Sequence, residues 1–382
     1  MFTNLRELIL SMPTEEQCRE YLATQRWQGK PVCPHCGSGR IYVIEKNSRY
    51  KCGNSDCYKK FSVKVKTVME ASNVPLFKWF TAIYLVSAHK KGISSYQLGK
   101  DIGVSQKSAW FMLHRIREGM RVKYNEKLDN IVEVDECWVG GKVGNMNKKR
   151  RAALRTANNG TIQNKTMVMG MIERGGNLKL IACGKETGNY ILQPLIHENV
   201  DKDAVIISDS SNAYEGLHKE YAGHEIVNHS ADEYCRDGVI HTNTIEGAFG
   251  MLKRSIIGIY HQVTPKHLSR YCDETMFRYN LRKLNDPARF TLSLQNMDGR
   301  IKWKDLTAKI DQPKPVIEIS DKKILSAKKH GRPVYQIKNG TTVGYYTSLK
   351  QASEMTGIRK AMISKVVRGV KKTTGGFEWK YA

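Results

Sequence analysis

The sequence predicts a multidomain α+β chain: a zinc ribbon and a helix-turn-helix first, a mixed-sheet α/β unit in the middle, and a small basic module last. Three observations predict it. Cysteines fall in two spaced pairs, Cys33/Cys36 and Cys52/Cys57. Strand-type and helix-type runs alternate across residues 130–290. Positive charge is in large excess, with 62 Lys and Arg against 37 Asp and Glu in 382 residues, and residues 322–382 hold 14 of the basic residues against 2 acidic ones.

Residues 1–30 read as short amphipathic helices, one starting at Thr14 with Gln17 three residues on, as a capping box requires. Residues 31–66 carry C-x2-C and C-x4-C knuckles around a hairpin, 41–44 and 49–51, turned at Asn47-Ser48. Paired knuckles of this kind place four thiolates for structural zinc, with His35 pointing outward. Residues 67–122 hold an apolar helix over 76–90, then one over 95–101. Gly103 supplies the turn, and Ser105 caps a further helix to about 117. Leu98, Ile102, Val104, Ala109, Leu113 and Ile116 fall at core spacings. The pair is a helix-turn-helix or an ordinary helical hairpin; the neighbouring ribbon and the charge favour DNA. Gln106, Lys107 and Ser108 would then face the groove, with Arg115 a further contact.

Residues 123–290 form the central unit, with strands at 131–139, 166–173, 178–183 and 204–208. R-G-G-N makes a hairpin turn, and helices are expected at 190–198, 213–221, 244–256 and 266–283. A basic stretch with Lys148, Lys149, Arg150 and Arg151 is either a solvated loop or a strip that tracks a phosphate backbone. Residues 291–325 read as a linker. Residues 326–382 read as strand, N-G turn, strand, a helix from Ser348 with Gln351 completing a capping box and Gly357 ending it, a second helix over 359–368, and a closing strand.

The net charge of +25 favours a polyanionic partner through counterion release. The longest apolar stretch is too short to span a bilayer, which takes about 20 residues, and the first residues lack a signal peptide's apolar core. An intracellular protein without a membrane partner or disulfide framework is expected.

Asp135 and Asp209 each close a short apolar run of strand type, and Glu246 lies near the start of a helical pattern. Lys253, seven residues on, projects from the same helix face. Any one of these acids alone could be a solvated loop carboxylate. Three in such settings, with a same-face lysine, suit a cage for hard cations that act on a phosphodiester.

The segments V-D-E-C-W-V-G-G-K, S-D-S-S-N-A-Y and H-T-N-T-I-E-G-A-F-G-M-L-K-R, preceded by the cysteine knuckles, resemble the DDE transposases of zinc-ribbon insertion sequences, the ISXO-like group, across about residues 15–285. The resemblance implies a ribonuclease-H-like catalytic domain with Asp135, Asp209 and Glu246 holding two Mg²⁺ (or Mn²⁺) about 4 Å apart. Asn243 or His241 would assist, and Arg254 would contact DNA. It implies double-stranded DNA as partner, both transposon ends and target, and a homo-oligomer when two ends are synapsed. It also implies cleavage at the terminal inverted repeats and transfer of the 3′-hydroxyl to target DNA, in the cytoplasm and at the nucleoid if the host is prokaryotic. The last segment, T-S-L-K-Q-A-S-E-M-T-G-I-R-K-A-M-I-S-K-V-V-R-G, resembles the nuclease-associated modular DNA-binding domains of homing endonucleases. Arg359, Lys360, Lys365 and Arg368 would be its phosphate contacts. The competing readings are a DNA-binding regulator that no longer cuts and a site-specific endonuclease.

Overall fold

The computed structural model describes residues 2–45, 48–121, 126–141, 143–157, 164–184, 188–228, 235–236, 239–308, 334–338, 341–346, 349–367 and 371–381. The chain divides into two units, residues 1–315 and 316–382.

The first unit opens with α1 (Leu5–Ser11) and α2 (Glu15–Trp27). Thr14 and Gln17 form the expected capping box at the start of α2. A three-stranded antiparallel sheet follows, in the order β1 (Ile41–Glu45), β2 (Arg49–Cys52), β3 (Lys60–Phe61). Trp27 docks this small sheet onto α2, its ring edge-on to Tyr50 at 5.1 Å and to Phe61 at 6.1 Å. The next helix, α3 (Leu76–Ala88), is buried on nearly every side and forms the pillar of this region.

Helices α4 (Ser95–Ile102) and α5 (Gln106–Gly119) form the expected pair, capped by Ser94 and Ser105 and separated by Gly103 at φ 63°. A Cβ on Gly99 would lie 2.9 Å from the Val104 carbonyl oxygen, so a glycine there lets the turn fold back over α4. Arg115 departs from expectation. It is buried, donates to the Glu70 carbonyl, and stacks on Trp79 and Phe111. It faces inward because the second half of α5 is buried from Met112 to Arg117, so its guanidinium holds the fold together and reaches no groove.

The central sheet has the strand order β6-β5-β4-β7-β8, formed by β4 (Ile131–Val139), β5 (Thr166–Glu173), β6 (Leu178–Gly184), β7 (Val205–Asp209) and β8 (Gly223–Val227). β4, β5 and β6 pair antiparallel, whereas β4, β7 and β8 are parallel. Two expectations are corrected here. Residues 213–221 form short 3₁₀ turns, not a helix, and a fifth strand, β8, follows them. The basic stretch after β4 contains a helix, α6 (Lys148–Ala157). Helix α7 (Asn189–Asn199) connects β6 to β7, and α8 (Asn243–Ser255) and α9 (Pro265–Asn280) follow β8.

An ion cluster ties α5 to α9. Arg117 Nε donates to Glu274 at 2.6 Å, Arg278 donates to the same carboxylate, and the Tyr260 hydroxyl donates at 2.6 Å. Burial would raise the Glu274 pKa, but Arg278 and Arg117 outweigh it and hold the carboxyl at about 2. Gly92 makes room: a Cβ there would fall 1.9 Å from the Tyr260 hydroxyl. The cluster joins the helix pair to α9, which in turn packs on β6 of the central sheet.

The expected linker from residue 291 is also corrected. Helix α10 (Asp286–Gln295) packs Phe290 among Phe2, Phe80 and Tyr84. The Val68 N–H donates to the Met297 carbonyl, and α11 (Trp303–Thr307) follows. Phe290, Leu294 and Met297 belong to the N-terminal core, and Ile301 and Leu306 beyond them are buried as well.

The second unit contains a three-stranded antiparallel sheet with β9 (Val334–Lys338) between β10 (Thr341–Tyr346) and β11 (Glu378–Tyr381). Helices α12 (Leu349–Thr356) and α13 (Lys360–Val367) belong to the same unit, and Ile363, Val366 and Trp379 share one small core. The expected capping box at Ser348 lies outside the described residues. Among the described residues, no helix is long and apolar enough to cross a membrane.

Candidate active site and metal centre

β4 pairs with β7 in parallel, with Ile131 opposite Val205, Val132 opposite Ile206 and Glu133 opposite Ile207. The same register carried two residues further sets Asp135, midway along β4, level with Asp209 at the end of β7. Period-2 alternation then aims both side chains to one face. Helix α8 lies over that face. Gly170 of β5 stands opposite Asp135 in the sheet, and a Cβ on it would meet Phe249 at 2.6 Å and Ile245 at 2.7 Å. Its missing side chain lets α8 settle close to the sheet at the level of Asp135, which brings Glu246 to the same place.

Electrostatics agree with this placement. Burial first, then the charges of Glu136, Asp209 and Glu246, push Asp135 up to about 7, against the pull of the Glu136 N–H. Asp209 accepts from the Ser211 N–H at 3.1 Å, which fixes its rotamer in an Asx turn, and the Thr242 hydroxyl donates to Glu246 at 3.3 Å. Glu136 is a neighbouring acid that the sequence did not single out. The Tyr214 hydroxyl donates to it, and its pKa is raised by burial. The donor set is all carboxylate oxygen, which suits a hard divalent cation. The oxygens of Asp135, Asp209 and Glu246 do not all come within 4.8 Å of one another. A two-ion site is wider than a one-ion site, because ions about 4 Å apart separate the outer ligands further.

Lys253 lies on the exposed side of α8, and its charge acts on the buried Cys137 two residues beyond Asp135. Asn243 is exposed at the first turn of α8. His241 takes another role than the assistant expected of it. Its Nδ1 lies 3.1 Å from Arg174 and 3.4 Å from Glu133, a buried acid that sequence reasoning missed. Gly170 → Ala is expected to lower stability by about 1–3 kcal/mol through overpacking and to reduce activity by lifting Glu246; thermal unfolding and a DNA nicking assay on the same sample check both.

The four cysteines form the second centre. Cys33, Cys36, Cys52 and Cys57 bring their sulfurs within 4.8 Å of one another, with Cys33–Cys57 at 3.8 Å and Cys36–Cys52 at 3.5 Å. Tetrahedral zinc with Zn–S of about 2.3 Å needs S···S near about 3.8 Å, so the residues fit the ion. The Asn54 N–H, 3.4 Å from the Cys52 sulfur, donates to it as thiolate ligands require. His35 is exposed and stands outside the set.

Two family models match this sequence. The transposase zinc-ribbon domain covers residues 13–60, and the ISXO2-like transposase domain covers residues 127–280. Together they account for just over half of the chain. The chain belongs to the zinc-ribbon, ISXO2-like transposases. It is 27% identical over 259 residues to an uncharacterized protein in transposable element ISH50 of Halobacterium salinarum, a match covering 64% of this chain and 84% of that one. Among solved structures it is similar to the Mos1 transposase paired-end complex with left transposon end (12% identity, 53% of this chain, 70% of that one, TM-score 0.24). It is similar also to the Mos1 strand transfer complex (14%, 54%, 74%, TM-score 0.23). Those likenesses are too slight to bear on fold or function.

The DNA-contact candidates of this transposase are distributed as follows. Gln106 and Lys107 are exposed at the start of α5, where Gln106 donates to Ser95 at 2.9 Å and the Lys107 ammonium lies 4.9 Å from the Trp303 ring centroid. Ser108 is half-buried beside its cap, Ser105. Lys148 and Lys149 are exposed on α6, with Arg151 partly so, and Arg254 is exposed on α8. In the second unit Arg359, Lys360 and Lys365 are exposed. The Arg150 side chain and Arg368 lie outside the described residues.

Proposed function

We propose that this transposase cuts DNA at the ends of its element and joins the freed 3′-hydroxyl to target DNA, with Asp135, Asp209 and Glu246 as the ligands of two divalent cations. The observation that carries the reading is the parallel β4–β7 register, which sets the two aspartates level beneath Glu246. The strand order, with three antiparallel strands continuing into two parallel ones, supports the ribonuclease-H-like domain that the resemblance implies. Mg²⁺ or Mn²⁺ held there would lower the cost of deprotonating the attacking oxygen and of charge on the leaving one.

The chain's own groups do the rest. The packed sheet and α8 keep the carboxylates in place before substrate arrives, so little is spent on reorganisation. Lys253, on the open side of α8, is placed to hold a backbone phosphate. In the first step the oxygen of water bonds to phosphorus and the 3′-oxygen leaves; in the second that 3′-oxygen bonds to a target phosphorus and a target 3′-oxygen leaves. The zinc ribbon and the α4–α5 pair are assigned to the transposon ends, with Gln106, Lys107 and Ser108 as the contacts offered by α5. The basic second unit is assigned to target DNA.

The test is incubation of purified, zinc-loaded protein with Mg²⁺ and labelled DNA carrying the element's own ends. Nicking followed by joining to a second DNA is the expected result. Nicking without joining would turn the reading to an endonuclease, and tight binding without nicking to a regulator.

A further inference from the structure

Helix α8 carries Glu246 but no cap of its own. Thr242, at its N-cap position, accepts no capping hydrogen bond through its side chain. The N–H groups that a cap would satisfy point instead at a residue far away in sequence. The Thr244 N–H donates to Glu133 Oε2 at 2.9 Å and the Ile245 N–H to the same oxygen at 3.0 Å. The Thr244 hydroxyl donates to Oε1 at 2.8 Å. Glu133 is fully buried on β4, two residues before Asp135. Its other partner is Arg174, just beyond β5, whose Nε donates to Oε1 at 2.7 Å and whose Nη2 donates to the His241 carbonyl at 2.9 Å.

We propose that Glu133 is a positioning residue: a remote cap that locks the N-terminus of α8 to β4 and so fixes Glu246 over Asp135. This rests on the reading of Asp135, Asp209 and Glu246 as cation ligands. A carboxylate at a helix N-terminus answers both the orphaned N–H groups and the positive end of the helix dipole. The Arg174 guanidinium, 2.7 Å from Oε1, gives this buried carboxylate an opposite charge and a hydrogen-bond donor. Because Glu133 and Asp135 share one strand, fixing the helix to the first sets its height over the second. Arg174, bound to both Glu133 and the chain just before α8, holds the entry to the helix in the same frame. A side chain that only filled the core would not satisfy the two N–H groups, the hydroxyl and the guanidinium together.

The experiment is Mn²⁺ binding to the full zinc-loaded chain without DNA, read by loss of the free-ion spin-resonance signal, with thermal unfolding on the same samples. Wild type is compared with Asp135 → Asn, Glu133 → Gln and Thr244 → Val. Glu133 → Gln keeps the shape but loses the charge and one acceptor, and is expected to weaken Mn²⁺ binding by about tenfold or more, as loss of an outer partner of a metal ligand does. Thr244 → Val removes only the hydroxyl contact, and is expected to weaken binding in the same direction by a smaller factor; it carries the test if Glu133 → Gln does not fold. Wild-type affinity in a folded Glu133 → Gln, or in Thr244 → Val when that is the variant that folds, would overturn the positioning role while leaving the metal site intact, provided Asp135 → Asn has lost binding. Equal binding by wild type and Asp135 → Asn would overturn the metal site and the positioning role with it.

Discussion

Asp135 → Asn is expected to abolish strand cleavage and, in metal-free buffer above neutral pH, to raise the unfolding temperature. Loss of a ligand that carries several kcal/mol of charge stabilisation lowers the rate on the order of 10³-fold or more. The stability effect follows from linkage. Asp135 is pushed up to about 7 by burial and by Glu136, Asp209 and Glu246, against about 3.9 in an unfolded chain. A group whose folded pKa is raised contributes stability below its unfolded pKa and loses it as pH rises through the folded value. Metal-free wild type should therefore weaken between about pH 4 and pH 8, whereas Asp135 → Asn has no such charge to accommodate. The variant should be more stable by on the order of 1–3 kcal/mol at pH 8 and by roughly a third of that at pH 5. Mg²⁺ should stabilise the wild type alone, by mass action on the folded state. Unfolding scans at the two pH values, with and without Mg²⁺, check all of these. An unfolding temperature for the variant equal to wild type throughout would contradict the crowding of acids around Asp135.

Loss of zinc is the second large effect. The ribbon has three short strands, and its buried aromatic residues, Tyr50 and Phe61, rest against Trp27 of α2. So small a sheet does not fold on its own core. Zinc in comparable thiolate sites contributes about 10–16 kcal/mol of apparent binding energy at neutral pH, which here is folding energy of the ribbon. Cys36 is the informative position because its side chain is exposed, so Cys36 → Ser removes a ligand with little change in packing. The expected outcome is zinc content falling from one ion per chain toward zero. The ribbon then unfolds ahead of the sheet, and DNA-end binding is lost while the secondary structure of the central unit is kept. Retention of one zinc per chain would place the metal elsewhere.

What was legible in the sequence was local. β4 and β5 matched their expected bounds because each is rich in β-branched and other strand-forming residues and closed by glycine or turn residues, and Cys33, Cys36, Cys52 and Cys57 announced themselves by spacing. The Ser94 and Ser105 caps and Gly103 likewise state their roles in their own residue types. What failed depended on partners distant in sequence. β8, G-H-E-I-V, has a half-exposed pattern and becomes a strand only by pairing with β7. The 213–221 stretch then closes as tight turns because the chain must reach that edge. Residues 291–308 read as linker, although Phe290, Leu294, Met297 and Ile301 recur at helical spacing, a signal that was present and outvoted by the proline-rich segment beyond. Arg115 shows that a cation on a candidate DNA-binding helix belongs to the surface only if its position on the helix does.

The candidate site divides in the same way. Asp135, Asp209 and Glu246 could be singled out because each aspartate closes a short apolar run and the glutamate lies near the start of a helical pattern. Gly170 left a faint mark, a glycine inside an apolar strand, which often signals close approach of another segment. Glu133 left less: a charge in a buried strand, two residues before Asp135 and therefore on the same face. Its role as a cap for α8 depends on a contact between residues more than a hundred positions apart, which no local pattern encodes.

The most direct test of the two-centre account is anomalous diffraction from crystals grown with zinc and soaked in Mn²⁺, with data collected at both absorption edges. A zinc peak enclosed by Cys33, Cys36, Cys52 and Cys57 is expected, with manganese peaks bounded by Asp135, Asp209 and Glu246. Manganese bound elsewhere, or none at those carboxylates in a fully soaked crystal, would contradict it.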